Sequence, residues 1–144
     1  MTVTVQSQDQ ARIGQLLAER ETAMRARDAE RLVSRYAREI VKFELVPPLR
    51  YTGPEVHDVN GLRSWFSGID GPIDYDCRRG CRPLPQPESP LSTTPHGASE
   101  RFDLWFRTTV SPRKIDGTWR NTQEHNSTPC YMDGSFKAAV DLQP

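Results

Sequence analysis

The sequence predicts an α+β fold, with helices first and antiparallel strands after them. Three observations carry that reading. Apolar residues near the amino terminus recur at helical spacing, the stretch Arg101 to Val110 largely alternates, and Asp116-Gly117 is a hairpin turn between two strand-like runs. The length of 144 residues suits one domain, 1–144, with a core of useful size.

The elements follow in order. Residues 1–9 carry no apolar periodicity and are expected to be a flexible terminus. Ile13, Leu16, Leu17 and Met24 then fall on one helical face, with Arg12, Glu19, Arg20 and Arg27 mostly elsewhere. Asp28 is placed to cap a second short helix whose apolar face is Leu32, Val33 and Tyr36. Ile40 to Val46 reads as a strand bounded by Pro47-Pro48. Asn60 would cap a third helix carrying Leu62, Trp65, Phe66 and Ile69 on one face, stopped by Gly71-Pro72. Ile73 to Asp76 starts another extended segment. Phe102, Leu104, Phe106, Thr108 and Val110 alternate with Arg101, Asp103, Trp105, Arg107 and Thr109, and Thr118 to Ser127 returns beside them.

One segment resists this scheme. Residues 77–95 hold many of the chain's 12 prolines, and Cys77 to Pro90 contains no Val, Ile, Phe or Tyr. Proline lacks the backbone donor that a central strand requires, so 77–95 is expected to be irregular, with the strand there disrupted. Codons for Cys77 to Pro90 can be chosen so that the frame one nucleotide later reads Val-Ala-Gly-Asp-Val-Ala-Leu-Cys-His-Ser-Leu-Asn-Arg, a turn and an apolar-leaning strand. That points to a compensated frameshift; the other reading is a genuine proline-rich surface loop.

Composition excludes several classes. Lys plus Arg and Asp plus Glu are both 19, which leaves no global field for nucleic acid or an anionic membrane. No apolar run approaches the roughly 20 residues of a membrane span. The first residues have neither the basic nor the apolar stretch of a secretory signal, so a cytoplasmic location is expected, and the sequon Asn126-Ser127-Thr128 reads as chance. Three cysteines, Cys77, Cys81 and Cys130, give neither a disulfide framework nor a zinc ligand set. No phosphate loop, nucleotide fingerprint or Ser-His-Asp pattern is present, and no cofactor or metal is expected.

The closing stretch Lys114-Ile115-Asp116-Gly117-Thr118-Trp119-Arg120, followed by Glu124-His125-Asn126-Ser127-Thr128-Pro129, resembles the terminal hairpin of SnoaL-like and ketosteroid-isomerase-like proteins. These belong to the nuclear-transport-factor-2-like (NTF2-like) superfamily, whose order of helix pair, strand, third helix and long hairpin the chain shares from Ile13 onward. The resemblance implies a cone-shaped curved antiparallel sheet wrapped by three N-terminal helices around a ligand pocket, often as a homodimer. Family chemistry runs from isomerisation to polyketide cyclisation, so fold alone does not fix function. Asn121 and Gln123 depart from the family pattern, which usually has an aliphatic residue and often a second histidine there.

The candidate chemistry sits on the hairpin. His125 can act as acid or base near neutral pH. If the face carrying Asp103, Trp105 and Arg107 points inward, Asp103 can take a proton beside a carbonyl and Arg107 can hold the developing oxyanion. The rival assignment turns Phe102, Leu104 and Phe106 inward and leaves Asp103 and Arg107 outside, as a structural ion pair. Tyr36, Phe43, Tyr51, Trp65 and Trp105 are candidates to line an apolar cavity. The expected partner is a small apolar carbonyl compound, which the protein would isomerise, cyclise, hydrate or simply bind.

Overall fold

The computed structural model describes the backbone of residues 2–76 and 88–143, and side chains within 8–76 and 90–143. The element order is helix α1 (Thr2–Ala26), helix α2 (Ala29–Ser34), strand β1 (Tyr36–Phe43), short strand β2 (Tyr51–Thr52), a 3-10 turn (Gly53–Glu55), helix α3 (Val59–Ser67), then strands β3 (Ile69–Tyr75), β4 (Glu88–Pro95), β5 (Phe102–Ile115) and β6 (Thr118–Ser127). The fold is α+β, as expected.

Helix α1 runs back over the residues expected to be a flexible terminus. No Gly or Pro interrupts Thr2 to Ile13, so nothing stops the helix there. Asp9 also ties it to the sheet, accepting from Trp119 Nε1 at 3.2 Å and from Lys114 Nζ at 3.5 Å. The helix ends at Arg27, whose φ of 56° is left-handed. Its guanidinium donates to the carbonyls of Phe66 (2.9 Å) and Ile69 (2.7 Å), clamping α1 to the α3–β3 junction. Asp28 caps α2 by accepting from Arg31 N–H at 2.9 Å. The cap of α3 is Asp58, which accepts from Gly61 N–H at 3.0 Å, and not Asn60. The helix stops at Ser67, so Ile69 opens β3, and Tyr36 opens β1 instead of closing α2.

The six strands form one curved, unclosed sheet in the order β2-β1-β6-β5-β4-β3. It is mixed and not wholly antiparallel: β1 and β6 run parallel, because the chain passes through β2, α3 and three further strands before returning beside β1. Gly71-Pro72 lies inside β3, where the register shifts; β3 is an edge strand, which tolerates a missing donor.

Strand β4 corrects the expectation of an irregular segment over 88–95. Pro90 lies opposite Trp105 in the β4–β5 ladder. Its carbonyl accepts from Asp76 N–H at 3.3 Å, on the β3 side. In a strand the N and O of one residue face the same way, so the missing donor of Pro90 also faces β3, near the end of that strand, and the β5 ladder loses no bond. Residues 77–87, which include Cys77, Cys81 and most of the possible frameshift, lie outside the described residues.

A bulge decides which side chains face inward. Ser111 pairs with Gln123 and Pro112 with Asn121, which leaves Thr122 as the extra residue. Such an insertion reverses the alternation on either side of it. Asn121, Glu124 and Asn126 are therefore all buried, while His125 is exposed. On β5, Phe106 and Thr108 are buried and Asp103 and Arg107 exposed, because hydrocarbon gains from leaving water. The main core joins Leu17 and Ala23 of α1, Ala29 and Leu32 of α2 and Phe66 of α3 to Ile73, Tyr75 and Phe106 of the sheet. Of the adjacent aromatics on the apolar face of α3, Trp65 is 44% exposed and Phe66 takes the buried place.

Candidate functional site

Between the helices and the inner sheet face lies a cavity of about 460 Å³. Met24, Leu32, Leu62, Trp65, Leu91 and Phe106 supply apolar wall, while Leu45 and Val46 come from the segment joining β1 to β2 and Tyr51 from β2 itself. Arg20, Tyr36, Lys42, Glu44 and Asn126 also line it. The arrangement is an apolar chamber with a charged patch.

That patch converges from α1, the β1 region and β6. Ile40, Lys42 and Glu44 share one face by strand alternation, which brings a cation and an anion in behind a buried isoleucine. Glu124 of β6 is fully buried and stands at the centre. Its Oε1 accepts from Arg20 Nη2 at 2.5 Å and from Asn126 Nδ2 at 2.9 Å, and its Oε2 accepts from Asn121 Nδ2 at 3.0 Å. Lys42 Nζ lies 3.7 Å from Glu124 and pairs with Glu44. Asn126 also donates to Glu44 at 2.9 Å and accepts from Thr108 Oγ1 at 2.9 Å. Two rings border the cations: Lys42 lies 5.1 Å from the Tyr36 ring centre and Arg20 5.7 Å from that of Tyr75.

Protonation states follow from these neighbours. Burial alone would push the Glu124 carboxyl up, but Arg20 and Lys42, with the hydrogen bonds from Arg20 and Asn126, outweigh it and hold it down at about 2. Burial works against the Lys42 ammonium, yet Glu124, Tyr36 and Glu44 hold it well above its ordinary value. Burial raises the Tyr36 phenol, with Lys42 opposing, so at neutral pH it is a hydrogen-bond donor. The patch is thus two cations and two carboxylates, balanced in charge, with a neutral phenol beside them.

The structure separates the residues singled out by sequence. Tyr36, Tyr51 and Trp65 line the cavity. Phe43 and His125 stack edge to face on the opposite side of the sheet, ring centres 5.5 Å apart, where they are direct register partners. Asp103, Trp105 and Arg107 share that outer face by alternation, with Asp103 accepting from Ser92 Oγ. None of Asp103, Trp105, Arg107 and His125 lines the cavity. Arg20, Lys42, Glu44, Glu124 and Asn126 escaped sequence reasoning. The available signal was the pairing of Lys42 and Glu44 on the face of Ile40. Among the described residues, no cluster of three or more His, Cys, Asp or Glu side chains is placed to hold a metal ion. No described helix is long and apolar enough to cross a membrane.

Solved structures give the class to which this geometry belongs. An NTF2-like protein of unknown function from Pseudomonas putida KT2440 superposes with a TM-score of 0.75 at 23% identity, over 96% of this chain and 98% of that one. A scytalone dehydratase-like protein from Novosphingobium aromaticivorans gives 0.70 at 15% identity, over 96% and 95%. A ketosteroid isomerase-like protein from Erwinia carotovora atroseptica gives 0.63 at 15%, over 81% and 93%. The chain has the NTF2-like fold, the one its terminal hairpin led us to expect. No protein-family model matches the sequence, and no curated protein matches it.

Proposed function

We propose that the inner cavity binds a small, largely apolar molecule with one polar head, and that the protein performs cofactor-independent proton-transfer chemistry on it, of the isomerase, cyclase or hydratase kind. One observation carries this reading. A largely buried four-charge patch borders an apolar cavity of about 460 Å³, a size that suits a small organic ligand. Burying charges is a poor route to stability, since desolvation offsets most of the attraction. Their presence against a cavity wall is better explained by a ligand. Lys42 and Tyr36 are donors suited to a carbonyl or developing enolate oxygen. Glu44, partly exposed and lining the cavity, is the candidate base. The names of the scytalone dehydratase-like and ketosteroid isomerase-like neighbours support the same class of reaction.

Binding of the uncharged dye Nile red tests the pocket. Its fluorescence should rise with the native protein and fail to rise with Leu62→Trp, which fills the cavity. Catalysis is tested by incubating a bicyclic ketone with the protein in D2O and following deuterium uptake beside the carbonyl by NMR. Uptake should exceed background and vanish in Glu44→Gln.

A second reading, a non-catalytic binding domain, is favoured by the strong hold on Glu124, since a carboxylate kept ionised down to about pH 2 is a weak base. Dye binding without deuterium uptake would decide for it. A homodimer through the outer sheet face, where Phe43 and Trp105 lie, belongs to the same proposal. Light scattering at increasing concentration tests it, and a monomer throughout would remove it.

A further inference from the structure

Given the pocket reading above, on which this rests, we infer that Arg20 recognises the ligand's polar head, and that this head is an uncharged acceptor oxygen: a ketone, aldehyde or lactone carbonyl. Nη2 of Arg20 is engaged by Glu124. Its Nε and Nη1 are buried and have no hydrogen-bond partner among the described residues. Between them they hold most of the guanidinium hydrogens, and buried donors left unpaired are costly.

Arg20 borders two cavities. One is a void of about 20 Å³ shared with Asn121, whose Oδ1 is also buried with no partner among the described residues. It has room for a single water, which can donate to Asn121 Oδ1 and accept from an Arg20 N–H. The other is the main cavity, which the Arg20 side chain lines and where a ligand oxygen can meet its remaining donor capacity.

The neighbouring acceptors are already occupied. Asn126 Oδ1 takes Thr108, Glu124 takes Arg20, Asn126 and Asn121, and the two oxygens of Glu44 take Lys42 and Asn126. Tyr36 OH lies 3.5 Å from Lys42 Nζ, which leaves its own hydrogen to donate. A head that brings a hydrogen therefore meets groups that are already paired, whereas an acceptor meets donors. Charge narrows the choice further. Arg20 and Lys42 balance Glu44 and Glu124, so a carboxylate would leave excess negative charge in the patch, and an ammonium would stand beside two cations.

The test is displacement of Nile red by 2-decalone, 2-decalol and 2-decalylamine, which share one apolar frame and differ in the head. The ketone should compete about tenfold more tightly than the alcohol, because the carbonyl oxygen can turn wholly to the guanidinium donors where the alcohol must also place its own hydrogen, with the amine weakest. Arg20→Lys keeps a cation opposite Glu124 but removes the guanidinium fork, so the ketone-to-alcohol ratio should fall to within about twofold. If that variant does not fold, the ratio in the native protein decides alone. Equal competition by ketone and alcohol, or a ratio unchanged in Arg20→Lys, overturns the head-group assignment while leaving the pocket intact. A native protein that binds no dye removes the pocket reading, and this assignment with it.

Discussion

Glu124 Oε1 accepts a 2.5 Å hydrogen bond from Nη2 of Arg20, joining β6 to α1 across 104 residues of sequence. Neither group is fit to be buried alone. The carboxylate is wholly inaccessible and the guanidinium nearly so, and each is the other's main counter-charge. Arg20→Met should therefore destabilise the protein by about 3–5 kcal/mol, since it strands a buried carboxylate. Adding Glu124→Met should recover much of that loss. Urea denaturation of the single and double variants measures both; a double variant no better than the single would mean that the pair is not the cause.

The same pair sets an acid limit. Glu124 is held ionised down to about 2, below its ordinary 4.5. A depressed carboxylate contributes stability that is fully present above the unfolded value and lost as pH falls through the folded one. Stability should thus drop between about pH 4.5 and 2, by on the order of 3 kcal/mol from this group. Glu124→Gln should flatten that part of the pH–stability curve. An unchanged acid slope would count against the pairing.

Much of the fold was legible from local pattern. Asp28 announced α2, and the Asp116-Gly117 turn, with positive φ at both residues (49° and 79°), announced the closing hairpin. The site was not legible, for two physical reasons. Alternation gives the face of a strand only while the register holds, and the extra residue Thr122 reversed it between Asn121 and Glu124, turning His125 out and Glu124 in. The patch itself joins Arg20, Lys42 and Glu124 through contacts that depend on strand order, and the parallel β1–β6 pairing was not foreseen. Proline counting misled over 88–95 because position matters more than number: Pro90 faces the side where the ladder ends.

A second ion pair predicts a different pH response. His96 Nδ1 lies 2.9 Å from Asp70 Oδ1, and Gly97 N–H donates to Asp70 Oδ2 at 3.0 Å, pinning the loop after β4 to β3. The hydrogen bond to Asp70 raises the His96 imidazole above its ordinary 6.5. Its contribution is fully present below the unfolded value and lost as pH rises through the folded one. An NMR titration should show His96 titrating above 6.5 and returning toward it in Asp70→Asn. Identical titrations would show that the pair does not persist in solution.

Adjacent aromatics of α3 should differ in role. Phe66 is 3% exposed within the main core, whereas Trp65 is 44% exposed at the cavity. Phe66→Ala should cost about 3–5 kcal/mol. Trp65→Ala should cost clearly less, while weakening dye binding. Equal losses of stability would place both rings in the core.

The sharpest contrast sets the two faces of the sheet against each other. Sequence alone favoured His125, which lies outside against Phe43, while the structure puts Lys42 at the cavity beside Tyr36, Glu44 and Glu124. Lys42 supplies an ammonium that its neighbours keep protonated, the form able to donate to a ligand oxygen. Lys42→Met keeps the length of the stem and removes the donor. Glu124 retains Arg20 and Asn126, so the fold should survive with a loss of about 1–3 kcal/mol. Affinity for 2-decalone should fall about tenfold or more, because a charged donor is lost from a largely apolar site. His125→Ala should leave ketone affinity within about twofold, since its ring touches the outer face alone and lies across the sheet from the cavity. Both variants can be measured by the same dye displacement, with urea denaturation as the control for folding. If His125→Ala weakens ketone binding as much as Lys42→Met does, the chemistry belongs to the outer face and the inner cavity is only packing space.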